Sequence, residues 1–168
     1  CIFWEKREKD QEKKGVGEKE KGEKEDEGDE EEEEERTFDR NEIIIIYMHT
    51  NTTCCADALE VLPVAASLNA CLVAYDLRGH GRSDGDGMAP LNTNLEDLEK
   101  VVAWSRSKTN KMILWARGAA CCVASRYQSL LCPKAESDPQ FENPIKYLIL
   151  DSPFLSVRQM YKDSVDKV

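Results

Sequence analysis

The chain has 168 residues, with 23 Lys and Arg against 33 Asp and Glu and a formal net charge of −10, a length that suits one domain. No nucleic-acid partner is expected, because nothing in the chain gives the basic excess that phosphates call for. No apolar run approaches the roughly 20 residues of a helical membrane span, so none is expected. Residues 1–40 hold 10 basic and 18 acidic side chains, leaving 13 and 15 for residues 41–168. The acidity belongs to the N-terminal stretch and says little about what the remainder binds.

Residues 1–40 contain almost no large apolar side chain after Trp4 and end in the acidic run Asp29 to Glu35. Such a segment cannot bury enough surface to offset its ordering entropy, so it reads as a disordered, low-complexity acidic tail. An isolated Glu/Lys helix is the competing reading, and Gly15, Gly17, Gly22 and Gly28 each weaken it. The tail's charge would suit a basic protein partner. The first residue is Cys1 and not methionine, so the natural N-terminus is expected upstream. Ile2-Phe3-Trp4 is too short for a signal-peptide core.

Residues 41–168 alternate strand and helix signals. Ile43 to Met48 is a β-branched run without alternation, as a strand buried on both faces requires. Asp57 to Leu68 puts Leu59, Leu62, Ala65, Ala66 and Leu68 on a helical face, with Pro63 bending the helix or moving its start. Cys71 to Tyr75 is a second buried strand, and Asp76 to Asn94 is a Gly- and Asp-rich loop. Leu95 to Ser105 is the clearest helix, with Leu95, Leu98, Val101, Val102 and Ser105 on one face and Asn94 as its cap. Met112 to Trp115 is a third strand, Ala119 to Leu131 a third helix, Pro133 to Pro144 a polar loop, and Tyr147 to Leu150 a fourth strand. Repeated βα units predict an α/β fold with a mostly parallel sheet and right-handed crossovers.

A parallel sheet collects ligand groups at the carboxyl ends of its strands. His49-Thr50-Asn51, Asp76 to Gly81, Arg117-Gly118 and Asp151-Ser152 all follow strands, so they are expected along one edge. The seven cysteines include the adjacent pairs Cys54-Cys55 and Cys121-Cys122. Neighbouring cysteines point apart, so neither pair has metal or redox spacing. No metal or cofactor is expected, and reduced thiols in a cytoplasmic setting are the default. Asn51-Thr52-Thr53 fits a glycosylation sequon, expected to be idle without a secretory signal.

With these segments in order, the chain resembles the α/β-hydrolase superfamily, and within it the serine aminopeptidase-like, Bem46-like and depalmitoylase-like branch. The segments that carry the resemblance are "IIIIYMHTN", "ALEVLPVAASLNACLVAYDLRGHGRSDGDG", "LEDLEKVVAWSRS", "KMILWARGAA" and "YLILDSPFLSV"; "YDLRGHGRSDG" is the most specific. The resemblance implies a partial α/β-hydrolase domain over residues 41–168, and an ancestor that cleaved ester, thioester or peptide-like acyl bonds through an acyl-enzyme.

The resemblance also implies a degenerate site. The family's serine stands on a sharp strand-to-helix turn, and the matching position here is Gly118, flanked by Ala116 and Ala120. Glycine keeps the positive φ of such a turn and lacks the nucleophilic oxygen. The oxyanion positions fall on Ala119 and on Thr50, where the family usually has glycine. The family's acid and histidine follow its seventh and eighth strands, and this chain stops after the strand matching the sixth. Asp151 is a weak substitute for the acid. His49 and His80 match early-loop, structural positions. Ala120-Cys121-Cys122-Val123-Ala124 also fits the elbow spacing, with Cys122 as a weak alternative nucleophile, but it requires Gly118 inside the strand, which glycine disfavours. The expectation is a pseudo-hydrolase with a binding or vestigial role; the alternative is a serine hydrolase whose acid and histidine lie beyond this chain. In the family order the third strand is central, the fourth and fifth flank it, and the sixth lies beyond the fifth. The outer sides of Cys71–Tyr75 and Tyr147–Leu150 are therefore expected to be open, which invites self-association or a protein partner.

Overall fold

The computed structural model describes residues 2–4, 42–85 and 90–154, which form one unit. Residues 5–41, nearly all of the expected acidic tail, lie outside the described residues. The strands are β1 (Ile2–Trp4), β2 (Ile44–Met48), β3 (Cys71–Tyr75), β4 (Met112–Arg117) and β5 (Ile145–Asp151). The helices are α1 (Leu62–Ser67), α2 (Leu91–Arg106) and α3 (Ala120–Ser137), and a 3₁₀ turn at Cys55–Glu60 precedes α1. The sheet order is β1-β3-β2-β4-β5. β3, β2, β4 and β5 run parallel, in the order the resemblance implied. β1 is antiparallel to β3, with Phe3 opposite Val73.

That pairing corrects one expectation. The outer side of Cys71–Tyr75 is not open, because Ile2–Trp4 lies along it. The physical reason is ordinary edge chemistry: the unpaired N–H and C=O groups of an edge strand accept any extended segment within reach. At the other side of the sheet, β5 pairs only with β4 among the described residues.

The continuous apolar runs are explained by two cores, one on each face. Ile44, Ile46 and Met48 join Val73, Tyr75, Met112 and Leu114 beneath α2 and α3. Ile45 and Tyr47 join Leu72, Ala74 and Ile113 beneath the 3₁₀ turn and α1. Alternate side chains of β2 therefore enter different cores, and all five of its residues are buried. α2 presents Leu98, Val102 and Ser105 to the first core, with Leu95 and Val101 packed at its edge.

Two helix boundaries differ from the sequence reading. α2 starts one turn early: Pro90 is its N-cap, and the Thr93 and Asn94 N–H groups donate to the Pro90 carbonyl oxygen. Asn94 is thus inside the first turn and does not cap it. Pro supplies a fixed φ suited to a helix start. α3 continues through Pro133 to Ser137, where the sequence reading placed a loop. Pro133 lies on an exposed final turn, and the Ser137 hydroxyl donates to the Pro133 carbonyl oxygen at 2.6 Å. Pro63 occupies the first turn of α1, where its missing N–H costs nothing.

Candidate active site at the strand-to-helix elbow

β4 ends at Arg117 and α3 begins at Ala120, so Gly118 and Ala119 alone make the turn. Gly118 has φ +58°, the left-handed conformation that the elbow position demands. Its N–H donates to the Asp151 carbonyl oxygen at 2.8 Å, and its own carbonyl accepts from the Cys121 N–H at 3.1 Å. The turn is therefore tied to the end of β5 and to the first turn of α3. Ala119 is the N-cap of α3, directly after the nucleophile position.

Thr50 closes the space above this turn. A Cβ placed on Gly118 would come within 2.6 Å of Thr50 Oγ1 and 3.1 Å of Thr50 Cβ. The two departures from the family pattern are thus one structural fact. The branched side chain at residue 50 crowds the space that a nucleophile's Cβ would need, and glycine at 118 places no atom there.

Asp151 ends β5, and its carboxylate is already engaged. Arg117 Nε donates to Asp151 Oδ2 at 2.9 Å and the Ser152 hydroxyl donates to Oδ1 at 3.0 Å. The other end of the guanidinium reaches Glu60 at 2.7 Å, so Arg117 clamps the 3₁₀ turn to the end of β5. Its pKa is raised, first by the Glu60 hydrogen bond. Ser152 has φ +55°, a strained conformation for a residue with a side chain.

Both histidines are engaged by backbone groups. His49 is fully buried. Its Nε2 accepts the Leu77 N–H at 2.9 Å, and its Nδ1 donates to the Thr50 carbonyl oxygen at 2.7 Å. Those partners fix the neutral tautomer with the proton on Nδ1, and burial lowers its pKa. The ring nitrogens of His80 face the carbonyl oxygens of Arg78 at 2.9 Å and Asn51 at 2.8 Å, so its ring links the two loops.

Cys121 and Cys122 sit in the first turn of α3. Cys121 is buried, its thiol donates to the Ala116 carbonyl oxygen at 3.1 Å, and burial raises its pKa. Cys122 is exposed, with its thiol 4.0 Å from the Phe154 carbonyl oxygen. The strand does not run on to Ala120, so Cys122 stands on a helix and not on a sharp turn.

Asp76 organises the loop after β3. Its carboxylate accepts the Cys55 N–H at 2.7 Å and the Arg82 N–H at 3.0 Å. Burial pushes its pKa up, but these backbone donors outweigh that and hold it below the ordinary Asp value. Gly81, at φ +53°, lies so close to the Asp76 carboxylate that a Cβ there would clash with it. Among the described residues no cluster of His, Cys, Asp or Glu is arranged to hold a metal, and no helix is long and apolar enough to cross a membrane.

The parallel β3-β2-β4-β5 sheet, flanked by helices and with a positive-φ turn after β4, is a partial α/β-hydrolase fold over the described residues. No protein-family model matches the sequence. The chain is similar to the lysophosphatidylserine lipase ABHD12 of Mus musculus, 32% identical over 127 residues, covering 73% of this chain and 29% of the mouse protein. The Gallus gallus protein of the same name is 31% identical over 121 residues, covering 69% of this chain and 29% of its own. The chain therefore spans about three tenths of the curated relatives it matches. Among solved structures, it is similar to the thioesterase domain from the curacin biosynthetic pathway, with TM-score 0.54, 21% identity, and coverage of 77% of this chain and 46% of that one. The monoacylglycerol lipase of Paleococcus ferrophilus gives TM-score 0.53 at 16% identity, covering 73% and 45%. These two likenesses support the fold.

Proposed function

We propose that this chain is a pseudo-hydrolase: an α/β-hydrolase-fold protein that keeps the elbow's backbone and has lost its acyl-transfer chemistry. Such chemistry needs an oxygen nucleophile, a base within reach of its proton, an acid behind the base and donors for the oxyanion. Gly118 supplies no oxygen. His49 and His80 are held by backbone partners, and the Asp151 carboxylate is held by Arg117. The observation that carries the reading is the Thr50 side chain in the space of a nucleophile's Cβ. What is left is a binding role, and the relatives' printed name suggests its ligand class, a single-chain phospholipid. A cytoplasmic setting belongs to the same proposal, supported by six unbridged cysteines among the described residues.

The chain's coverage of only 29% of the mouse relative favours one second reading, in which the acid and histidine of a serine hydrolase lie beyond this sequence. That reading still has to supply an oxygen at residue 118.

The test is to incubate the chain with lysophosphatidylserine and follow both binding and fatty-acid release. Saturable binding without release supports a pseudo-hydrolase. Release above that of a heat-denatured sample overturns it.

A further inference from the structure

β5 ends on a serine in an unusual setting. Ser152 has φ +55°, and among the described residues Asn69 is the one other non-glycine residue with a left-handed backbone. Asparagine tolerates that conformation; serine visits it far less readily. A left-handed serine persists where its surroundings enforce it, and such residues collect at functional and switch segments. Ser152 is nonetheless exposed, as is Pro153 after it. Of the six prolines in the chain, only Pro153 follows a serine or threonine.

The Ser152 hydroxyl belongs to a charged network. It donates to Asp151 Oδ1 at 3.0 Å, while Arg117 Nε donates to Oδ2 at 2.9 Å, so hydroxyl and guanidinium share one carboxylate. Arg117 Nη1 donates to Glu60 at 2.7 Å. One cation thus serves two carboxylates, Asp151 at the end of β5 and Glu60 on the 3₁₀ turn. A charge placed on Ser152 Oγ acts directly on how that cation is shared.

We infer that Ser152 is a phosphorylation site for a serine/threonine kinase that selects proline after the acceptor. In the transfer, the bond between the γ-phosphorus and the bridging oxygen of a nucleoside triphosphate breaks and a P–O bond to Ser152 Oγ forms. The hydroxyl proton passes to the kinase's carboxylate base, and the nucleoside diphosphate leaves. Two things then change at the network. Oγ no longer donates to Asp151, and a group of charge about −1.5 to −2 stands beside that carboxylate. Arginine matches phosphate oxygens with its planar fork, so the Arg117 guanidinium turns to the phosphate and the tie between the 3₁₀ turn and β5 is released. Phosphorylation needs no nucleophile at residue 118, so the site stands or falls separately from the pseudo-hydrolase reading.

The experiment is incubation of the full, folded chain with ATP, Mg²⁺ and a proline-directed kinase, followed by peptide mass spectrometry. A phosphate on Ser152 is expected, and Pro153→Ala, verified as folded by circular dichroism, should slow its uptake by about tenfold or more. Urea unfolding then reads the change in the network. Arg117→Met should lower the folding equilibrium constant about three- to tenfold more in the phosphorylated chain than in the unmodified one, the scale of a partly exposed charge-assisted pair. Comparing each variant with its own unmodified form separates the phosphate's effect from the cost of the substitution. A Ser152 that stays unmodified in the native chain, or is modified only after unfolding, overturns the inference. So does uptake at the same rate in Pro153→Ala, or an Arg117→Met cost that phosphorylation leaves unchanged.

Discussion

Gly118→Ala should be among the most damaging single methyl additions in the described chain. Two costs combine. The residue sits at φ +58°, and a side chain in the left-handed region costs about 1–2 kcal/mol. The new Cβ would also meet Thr50 Oγ1 at 2.6 Å and Thr50 Cβ at 3.1 Å, and overpacking of that kind costs about 1–3 kcal/mol. The sum, about 2–5 kcal/mol, is a large share of the roughly 5–15 kcal/mol that holds a domain folded. Thr50→Ala removes the closer contact and leaves the backbone cost. The double variant should therefore recover about 1–2 kcal/mol relative to additivity. Urea unfolding of the four proteins, followed by tryptophan fluorescence, measures this directly. Additive single and double variants would refute the coupling, and with it the assignment of Thr50 as the side chain that fills the nucleophile's space.

Acid should destabilise the fold in two steps. His49 is held below its ordinary 6.5 by burial, so the unfolded chain takes up that proton first; its contribution is complete above pH 6.5 and is lost as pH falls below it, and His49→Gln should flatten this part of a urea-midpoint profile. Asp76 is held below its ordinary 3.8, so its contribution is present above that pH and is lost only as pH falls through the lower folded value, a step that Asp76→Asn should abolish. Arg117→Met, which releases Glu60 and Asp151, should cost no more than about 1 kcal/mol because the pair is partly exposed, and about 1 M salt should shrink the difference further. Pro133→Ala should stabilise the chain by about 1 kcal/mol, by restoring an N–H donor inside α3; a lower urea midpoint would show that Pro133 makes contacts that repay its helix penalty.

The central sheet was legible in the sequence because its strands are short, apolar and bounded by glycine, proline and polar residues. Ile43 to Met48 reads as a strand buried on both faces, and the structure divides its side chains between two cores. The elbow was legible too, since small residues around Gly118 after an apolar run leave few other local geometries. Less visible were features that depend on distant partners. Ile2–Trp4 has no signal of its own that names Cys71–Tyr75 as its neighbour. The start of α2 at Leu91 was hidden by polar residues that look like loop, and Pro133 looked like a stop although α3 passes through it. The contact between Thr50 and the Gly118 position joins residues far apart in sequence, so pattern reading marked both as departures without showing that they belong together. Arg117 was similarly opaque: its role comes from Glu60 and Asp151, which only the fold brings to it.

The central claim is that the elbow carries no activated nucleophile. Exposure of the full chain to a fluorophosphonate, followed by intact-mass spectrometry, tests it without any choice of substrate, because the reagent phosphonylates activated serines in general. The account requires the unmodified mass under native conditions. A single stoichiometric adduct that maps to one residue, and that is lost when the chain is unfolded beforehand, would contradict it.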